Sequence, residues 1–178
     1  EGVLSDLTAL IDMAHQYGLT VIVDEAHGAH LGLSPLFPSG AVRAGADIVV
    51  QSLHKTMPSL TQTALAHVRS APLAQEMQRQ LSVFETTSPS FLLLASIDSC
   101  VKLIQDEGDR LFAAWAEALG AFDRMVGQLQ VLRVLGYGQE RGSTLPHVWG
   151  LEPSKLYIST LSADLNGQEL ASLLRRSY

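Results

Sequence analysis

Two short clusters hold the residues whose types could do chemistry. The first is DEAHGAH, Asp24 to His30, and the second is QSLHK, Gln51 to Lys55. Each follows a run of strand formers, LTVIV in one case and DIVV in the other. In open α/β sheets, ligands bind beyond the carboxyl ends of the strands. If the two strands are parallel neighbours, Asp24, His27, Ser52, His54 and Lys55 meet in one crevice. Lys55 is then either an ordinary surface lysine or a nucleophile whose surroundings lower its pKa. A lysine, a carboxylate and a hydroxyl in one crevice suit pyridoxal 5′-phosphate. The lysine would bind it covalently, the carboxylate would keep the pyridine nitrogen protonated, and the serine would meet the phosphate.

Two other chemistries compete for the same residues. D-E-A-H is also a nucleotide-helicase signature, in which the acidic pair holds Mg²⁺. That reading needs a phosphate loop of the form G-x-x-x-x-G-K-[ST], and the sequence contains none. His27 and His30 stand three residues apart and could ligate a metal, but no cysteine lies near them, and no metal is expected. His30, His67 and His147 are read as structural histidines and His15 as a surface one. Trp115 and Trp149 are read as packing residues, and Cys100, in an apolar helical run, as inert.

The elements that must position these residues follow from periodicity. Leu4, Leu7, Leu10, Ile11 and Ala14 recur at helical spacing, and Gly18 stops the pattern. LTVIVD reads as a strand buried on both faces. The glycine- and proline-rich stretch EAHGAHLGLSPLFPSG is a loop or broken helix, and AVRAGA is a short helix. DIVVQS is a second buried strand, and TQTALAHV a third. Helices follow over Pro72–Leu81, from Ser88 as N-cap with Pro89 in the first helical position, and over Asp109–Gln128. LQVLRVL and SKLYISTL read as strands around a glycine-bearing loop at Gly136–Pro146, and NGQELASLLRR opens a last helix. The order is that of a layered α/β protein. A domain boundary is expected near Glu152, giving residues 1–151 and 152–178.

Bulk composition narrows the class. Of 178 residues, 47% are hydrophobic and 17% charged, enough apolar material for one core. The net charge of −6, with no basic run, disfavours nucleic-acid binding. One cysteine excludes an internal disulfide. No apolar run reaches the roughly 18 residues a membrane span needs, so neither membrane association nor an address other than the cytoplasm is expected. The chain opens without Met at EGVLSDL and stops at RRSY within a helical pattern, and it is read as a piece of a longer enzyme.

The motifs D-E-A-H-G-A-H and G-A-D-I-V-V-Q-S-x-H-K-T-x-P-x-L-T-Q resemble those of the ornithine/lysine/arginine decarboxylases, which have the aspartate-aminotransferase fold. The likeness is close over Val21–Val68 and looser through ETTSPSFLLLASID and LYISTLSADLNGQELASLLRR. It implies an α/β chain: the large domain of a PLP-dependent transferase of fold type I, three-layer α/β/α and incomplete here. Residues 152–178 would start a smaller α+β domain. It implies that Lys55 holds pyridoxal 5′-phosphate covalently, that Asp24 pairs with the pyridine nitrogen, and that Ala26 lies against the ring. His27 would lie near the phenolic oxygen or the substrate carboxylate, and Ser52 and His54 would line the phosphate side. Thr87 and Ser88 resemble the segment that reaches a neighbouring subunit's phosphate, which implies a homodimer or a multiple of dimers. The implied reaction releases carbon dioxide from a basic amino acid and leaves an amine of polyamine biosynthesis, with His54 or Lys55 returning the proton. An aminotransferase or α-oxoamine synthase on the same fold would keep Asp24 and Lys55, whereas a non-catalytic scaffold would need neither.

Overall fold

The computed structural model describes residues 2–86, 88–134 and 148–177. Thr87, His147 and the expected Gly136–Pro146 loop lie outside the described residues. The chain forms two compact units, residues 6–113 and residues 1–5 with 114–178.

The first unit is built on a three-stranded sheet, β2 (Ile22–Asp24), β3 (Ile48–Ser52) and β4 (Ala64–Val68), in that spatial order. β2 and β3 are parallel, with Ile22 opposite Ile48 and Asp24 opposite Val50. β4 is antiparallel to β3, with Ser52 opposite Ala64. A parallel pair needs a crossover, and the segment between β2 and β3, carrying α2 (Ala41–Ala44), supplies it.

Helix α1 (Leu7–Gln16) starts where the Asp6 side chain accepts the Ala9 amide at 3.1 Å. Its buried residue Ile11 packs with Ala41, Ala46 and Val49 into the core, flanked by Leu7, Val21, Val23 and Ala44. Burying that one isoleucine contributes about 2–3 kcal/mol. β2 is not the doubly buried strand its composition predicts. It is the edge of the described sheet, and Ile22 is 65% exposed.

Helix α4 (Ala71–Phe84) is followed by α5 (Phe91–Val126), one helix of 36 residues where the sequence predicts two. Gly108 lies at the expected break, yet a lone helical glycine costs only about 1 kcal/mol. The Glu107–Arg110 pair spans it, and the Lys102–Asp106 pair lies on the turn before it. α5 is not capped by Ser88. The cap is Ser90, whose hydroxyl accepts the Leu93 amide at 3.4 Å and whose carbonyl accepts Leu94 at 3.0 Å.

The second unit holds two short antiparallel pairs, β1 (Val3–Leu4) with β6 (Gly150–Leu151) and β5 (Arg133–Val134) with β7 (Ile158–Ser159). α6 (Gly167–Ser177) opens on a capping box, with Asn166 Oδ1 accepting Glu169 N at 3.0 Å and Glu169 accepting Asn166 N at 2.7 Å. Trp149, expected to pack, is 60% exposed. Among the described residues no helix is long and apolar enough to cross a membrane.

Candidate active site

Parallel pairing puts the carboxyl ends of β2 and β3 side by side. The Glu25 amide donates to Val50 O at 2.9 Å, and the Ser52 amide donates to Ala26 O at 3.3 Å. The register therefore continues past the end of β2 and ties the DEAH turn to the QSLHK turn. Asp24 closes β2 with an exposed side chain, and its Oδ1 accepts the Ala26 amide at 3.0 Å. Ala26 is half-buried and His27 exposed.

Ser52 ends β3, and α3 (Leu53–Thr56) follows at once, carrying His54 and Lys55. Leu53 is buried and anchors this single turn, whereas Lys55 is exposed. His54 is half-buried, with Nδ1 3.0 Å from Thr63 O, and the Leu53 amide donates to the same carbonyl. The return to Thr63 passes through Gln62 at φ 78°, a left-handed conformation that a non-glycine residue adopts only when its surroundings hold it there. The holding contacts are Thr63 Oγ1 to Ser59 Oγ at 2.8 Å and the Leu60 amide to Ser96 Oγ of α5 at 2.9 Å.

Asp24, Ala26, His27, Ser52, His54 and Lys55 thus stand on two adjoining turns at one end of the sheet. Ser88 is not joined to them: it is exposed between α4 and α5, and its amide donates to Thr86 Oγ1 at 3.1 Å. The donor set fits pyridoxal phosphate. It combines an open carboxylate, an open primary amine, a hydroxyl and an imidazole on turns whose backbones are already bonded to each other.

A family model for the Orn/Lys/Arg decarboxylase major domain matches residues 1–158. The chain belongs to the Orn/Lys/Arg decarboxylase family. Among curated relatives, the arginine decarboxylase of Bacillus subtilis (strain 168) is 34% identical over 178 residues, covering 99% of this chain and 36% of that protein. The arginine decarboxylase of Bacillus anthracis is 30% identical over the same span, with the same coverage. An uncharacterized protein of Bacillus subtilis (strain 168), YaaO, is 43% identical over 103 residues, covering 57% of this chain and 22% of that protein. The chain thus spans about a third of the length of the two arginine decarboxylases, 36% of each.

A second group goes unmarked by residue type in this member of the Orn/Lys/Arg decarboxylase family. Glu25 and Gln51 are buried and hydrogen-bonded to each other at 2.6 Å. The only signal for them is alternation. Glu25 follows the exposed Asp24, Gln51 precedes the half-buried Ser52, and neighbours along an extended chain face opposite ways. His67 meets expectation as a structural histidine, with Nε2 3.0 Å from Gln51 Oε1. His30 does too, fully buried edge-on to Phe37 at 5.7 Å. His15 departs from it, half-buried and 2.8 Å from Asp47. Cys100 is 2% exposed, and burial pushes its thiol pKa up, away from reactivity.

Proposed function

We propose that this chain carries the cofactor-holding part of a pyridoxal-phosphate-dependent decarboxylase that acts on a basic amino acid. The observation that carries the reading is the pairing of an open Asp24 and an open Lys55 on adjoining turns of β2 and β3, in a member of the decarboxylase family. In this reading residues 1–151 belong to the three-layer α/β/α large domain of fold type I, and 152–178 open a smaller domain. The complete protein is a cytoplasmic enzyme, dimeric or a multiple of dimers, with Thr87 and Ser88 reaching the partner subunit's phosphate.

Lys55 Nζ would hold the cofactor covalently, and the Asp24 carboxylate would hold a proton on the pyridine nitrogen. Ala26 would lie against the ring, with His27 near its phenolic oxygen or the substrate carboxylate. The Ser52 hydroxyl would donate to the phosphate. When bound, the cofactor supplies an electron sink for the bond broken at Cα. His54 Nε2 or Lys55 Nζ then delivers the proton that replaces carbon dioxide at Cα, and the amine leaves. Two relatives that match nearly the whole chain are named arginine decarboxylases, which makes arginine the first substrate to try, before lysine and ornithine.

The test is borohydride reduction of the complete protein with pyridoxal phosphate, followed by peptide mass spectrometry, and assay of released carbon dioxide against keto acid. Peptide mapping distinguishes Lys55 from Lys102 and Lys155, the other lysines of this chain, and from any lysine outside it. Label on Lys55 with carbon dioxide from a basic amino acid is expected. Label elsewhere overturns the site, and keto acid without carbon dioxide overturns the reaction.

A further inference from the structure

Asp24 and Glu25 are adjacent carboxylates with opposite surroundings. Asp24 is exposed, whereas Glu25 is 8% exposed and accepts at both oxygens, from the Ala41 amide at 2.9 Å and from Gln51 Nε2 at 2.6 Å. Gln51 is 6% exposed, and its Nε2 also reaches Gly28 O at 3.5 Å. Both partners of that nitrogen can only accept, which identifies it as the NH₂ group. The amide oxygen therefore faces His67, and His67 Nε2, 3.0 Å away, must donate. The bonds run with one polarity from His67 on β4, through Gln51 on β3, to Glu25 in the turn after β2. The amide of the first residue of α2 closes the chain from the other side.

The surrounding backbone leaves room for this carboxylate and little else. A Cβ on Gly28 would stand 2.5 Å from Glu25 Cγ. A Cβ on Gly40 would stand 2.9 Å from Leu31 O and 3.1 Å from Glu25 Oε2.

We propose that Glu25 and Gln51 are positioning residues. Their bond clamps the turn after β2 onto β3, and so fixes the bearing of Asp24, Ala26 and His27 toward a cofactor held on Lys55. The proposal rests on the pyridoxal-phosphate reading above, and it assigns the two acids of DEAH separate work. Asp24 meets the ligand, and Glu25 sets where Asp24 points.

Glu25→Gln tests it, because a glutamine either sets its NH₂ against the Ala41 or Gln51 donors or forces Gln51 to turn over, which sets the Gln51 oxygen against Gly28 O and requires His67 to change tautomer. In the complete protein, pyridoxal phosphate affinity should fall about tenfold, the cost of one buried unmet donor. The absorption of the bound cofactor should shift in the same direction as in Asp24→Asn. The exchange variant Glu25→Gln with Gln51→Glu restores one acceptor and one donor at the central bond and keeps acceptors for Ala41 and His67. Its affinity should return to within about threefold of wild type, as expected for two directly coupled positions.

A single variant that binds the cofactor within about twofold of wild type overturns the proposal, since a lost buried bond costs more than that. So does an exchange variant that folds but binds no better than Glu25→Gln, because the exchange reverses the direction of the central bond yet still sets a donor against an acceptor there, at Ala41 and at His67; where the exchange does not fold, the affinity of Glu25→Gln alone decides. Failure of the functional reading looks different. Wild-type protein would then take no borohydride-stable label on Lys55, and the proposal would fall with it.

Discussion

His54 Nδ1 lies 3.0 Å from the carbonyl oxygen of Thr63. A carbonyl only accepts, so Nδ1 carries a proton and Nε2 is the ring nitrogen left to exchange one. Nε2 is therefore the atom placed to take up a proton and pass it on. His54→Asn keeps an N–H donor for Thr63 and removes the base. In the complete protein it should leave covalent capture on Lys55 intact and lower kcat by about 10²- to 10⁴-fold, the range for general acid–base groups. A kcat within about twofold of wild type would assign the proton to Lys55 instead.

Asp24→Asn should separate fold from chemistry. The asparagine Oδ1 can still accept the Ala26 amide, now bonded to Asp24 at 3.0 Å, so the unfolding free energy should change by less than about 1 kcal/mol. A neutral amide cannot hold a proton on the pyridine nitrogen. The barrier should rise by about 3 kcal/mol, the scale of one removed electrostatic contact in an active site. Steady-state kinetics beside a urea melt measures both. Near-normal kcat would remove Asp24 from the cofactor.

The sequence showed the chemistry more clearly than the scaffold, and the reasons are physical. Asp24, Ser52, His54 and Lys55 sit at strand ends, where a polar residue after an apolar run stands out without knowledge of its partners. The Glu25–Gln51 bond spans 26 positions, and the His15–Asp47 bond spans 32. No local pattern carries either, so the sequence alone points neither to Glu25 nor to the burial of His15. The stretch Ser88-Pro89-Ser90 offers two serines as caps, and the sequence favours Ser88 because proline suits the first helical turn. The helix instead begins at Phe91, one residue beyond Ser90. The two helices expected on either side of Gly108 are one, because a single glycine costs a helix about 1 kcal/mol and does not end it.

Acid should unfold the protein in part through Asp47. The Val21 amide, at 2.8 Å, is the main cause of its lowered carboxyl pKa, and His15, also at 2.8 Å, adds to it. A carboxylate with a depressed folded pKa binds fewer protons folded than unfolded. Its contribution is complete above the unfolded value of about 3.9 and is lost as pH falls through the lower folded value. Glu76, pushed down to about 2 by Arg79 and then Gln80, has the same sign. It is exposed, so salt should erase its share. Urea unfolding in high salt should therefore show stability dropping below about pH 4. The drop should be shallower in Asp47→Asn, which can keep the Val21 bond but has no charge to lose. Equal acid slopes in the two proteins would show that Asp47 does not contribute.

Helix capping and cofactor binding can be separated in the segment before α5. Ser90 caps the helix, with its hydroxyl 3.4 Å from the Leu93 amide, while Ser88 is exposed and its amide donates to Thr86 Oγ1. Ser90→Ala should then cost about 1 kcal/mol of stability and leave cofactor affinity unchanged. Thr87→Ala with Ser88→Ala should do the reverse, weakening pyridoxal phosphate binding with little change in the melt, if these residues reach the partner subunit's phosphate. A mixed dimer decides whether they act across the interface. Pair a Lys55→Ala subunit with a Thr87→Ala, Ser88→Ala subunit. Acting across the interface, the segment leaves one site with both lesions and the other with neither, so about one wild-type-like site per mixed dimer survives. Acting within its own subunit, it leaves every site damaged. A mixed dimer whose intact-lysine site binds no better than the Thr87→Ala, Ser88→Ala homodimer would end the shared-site reading.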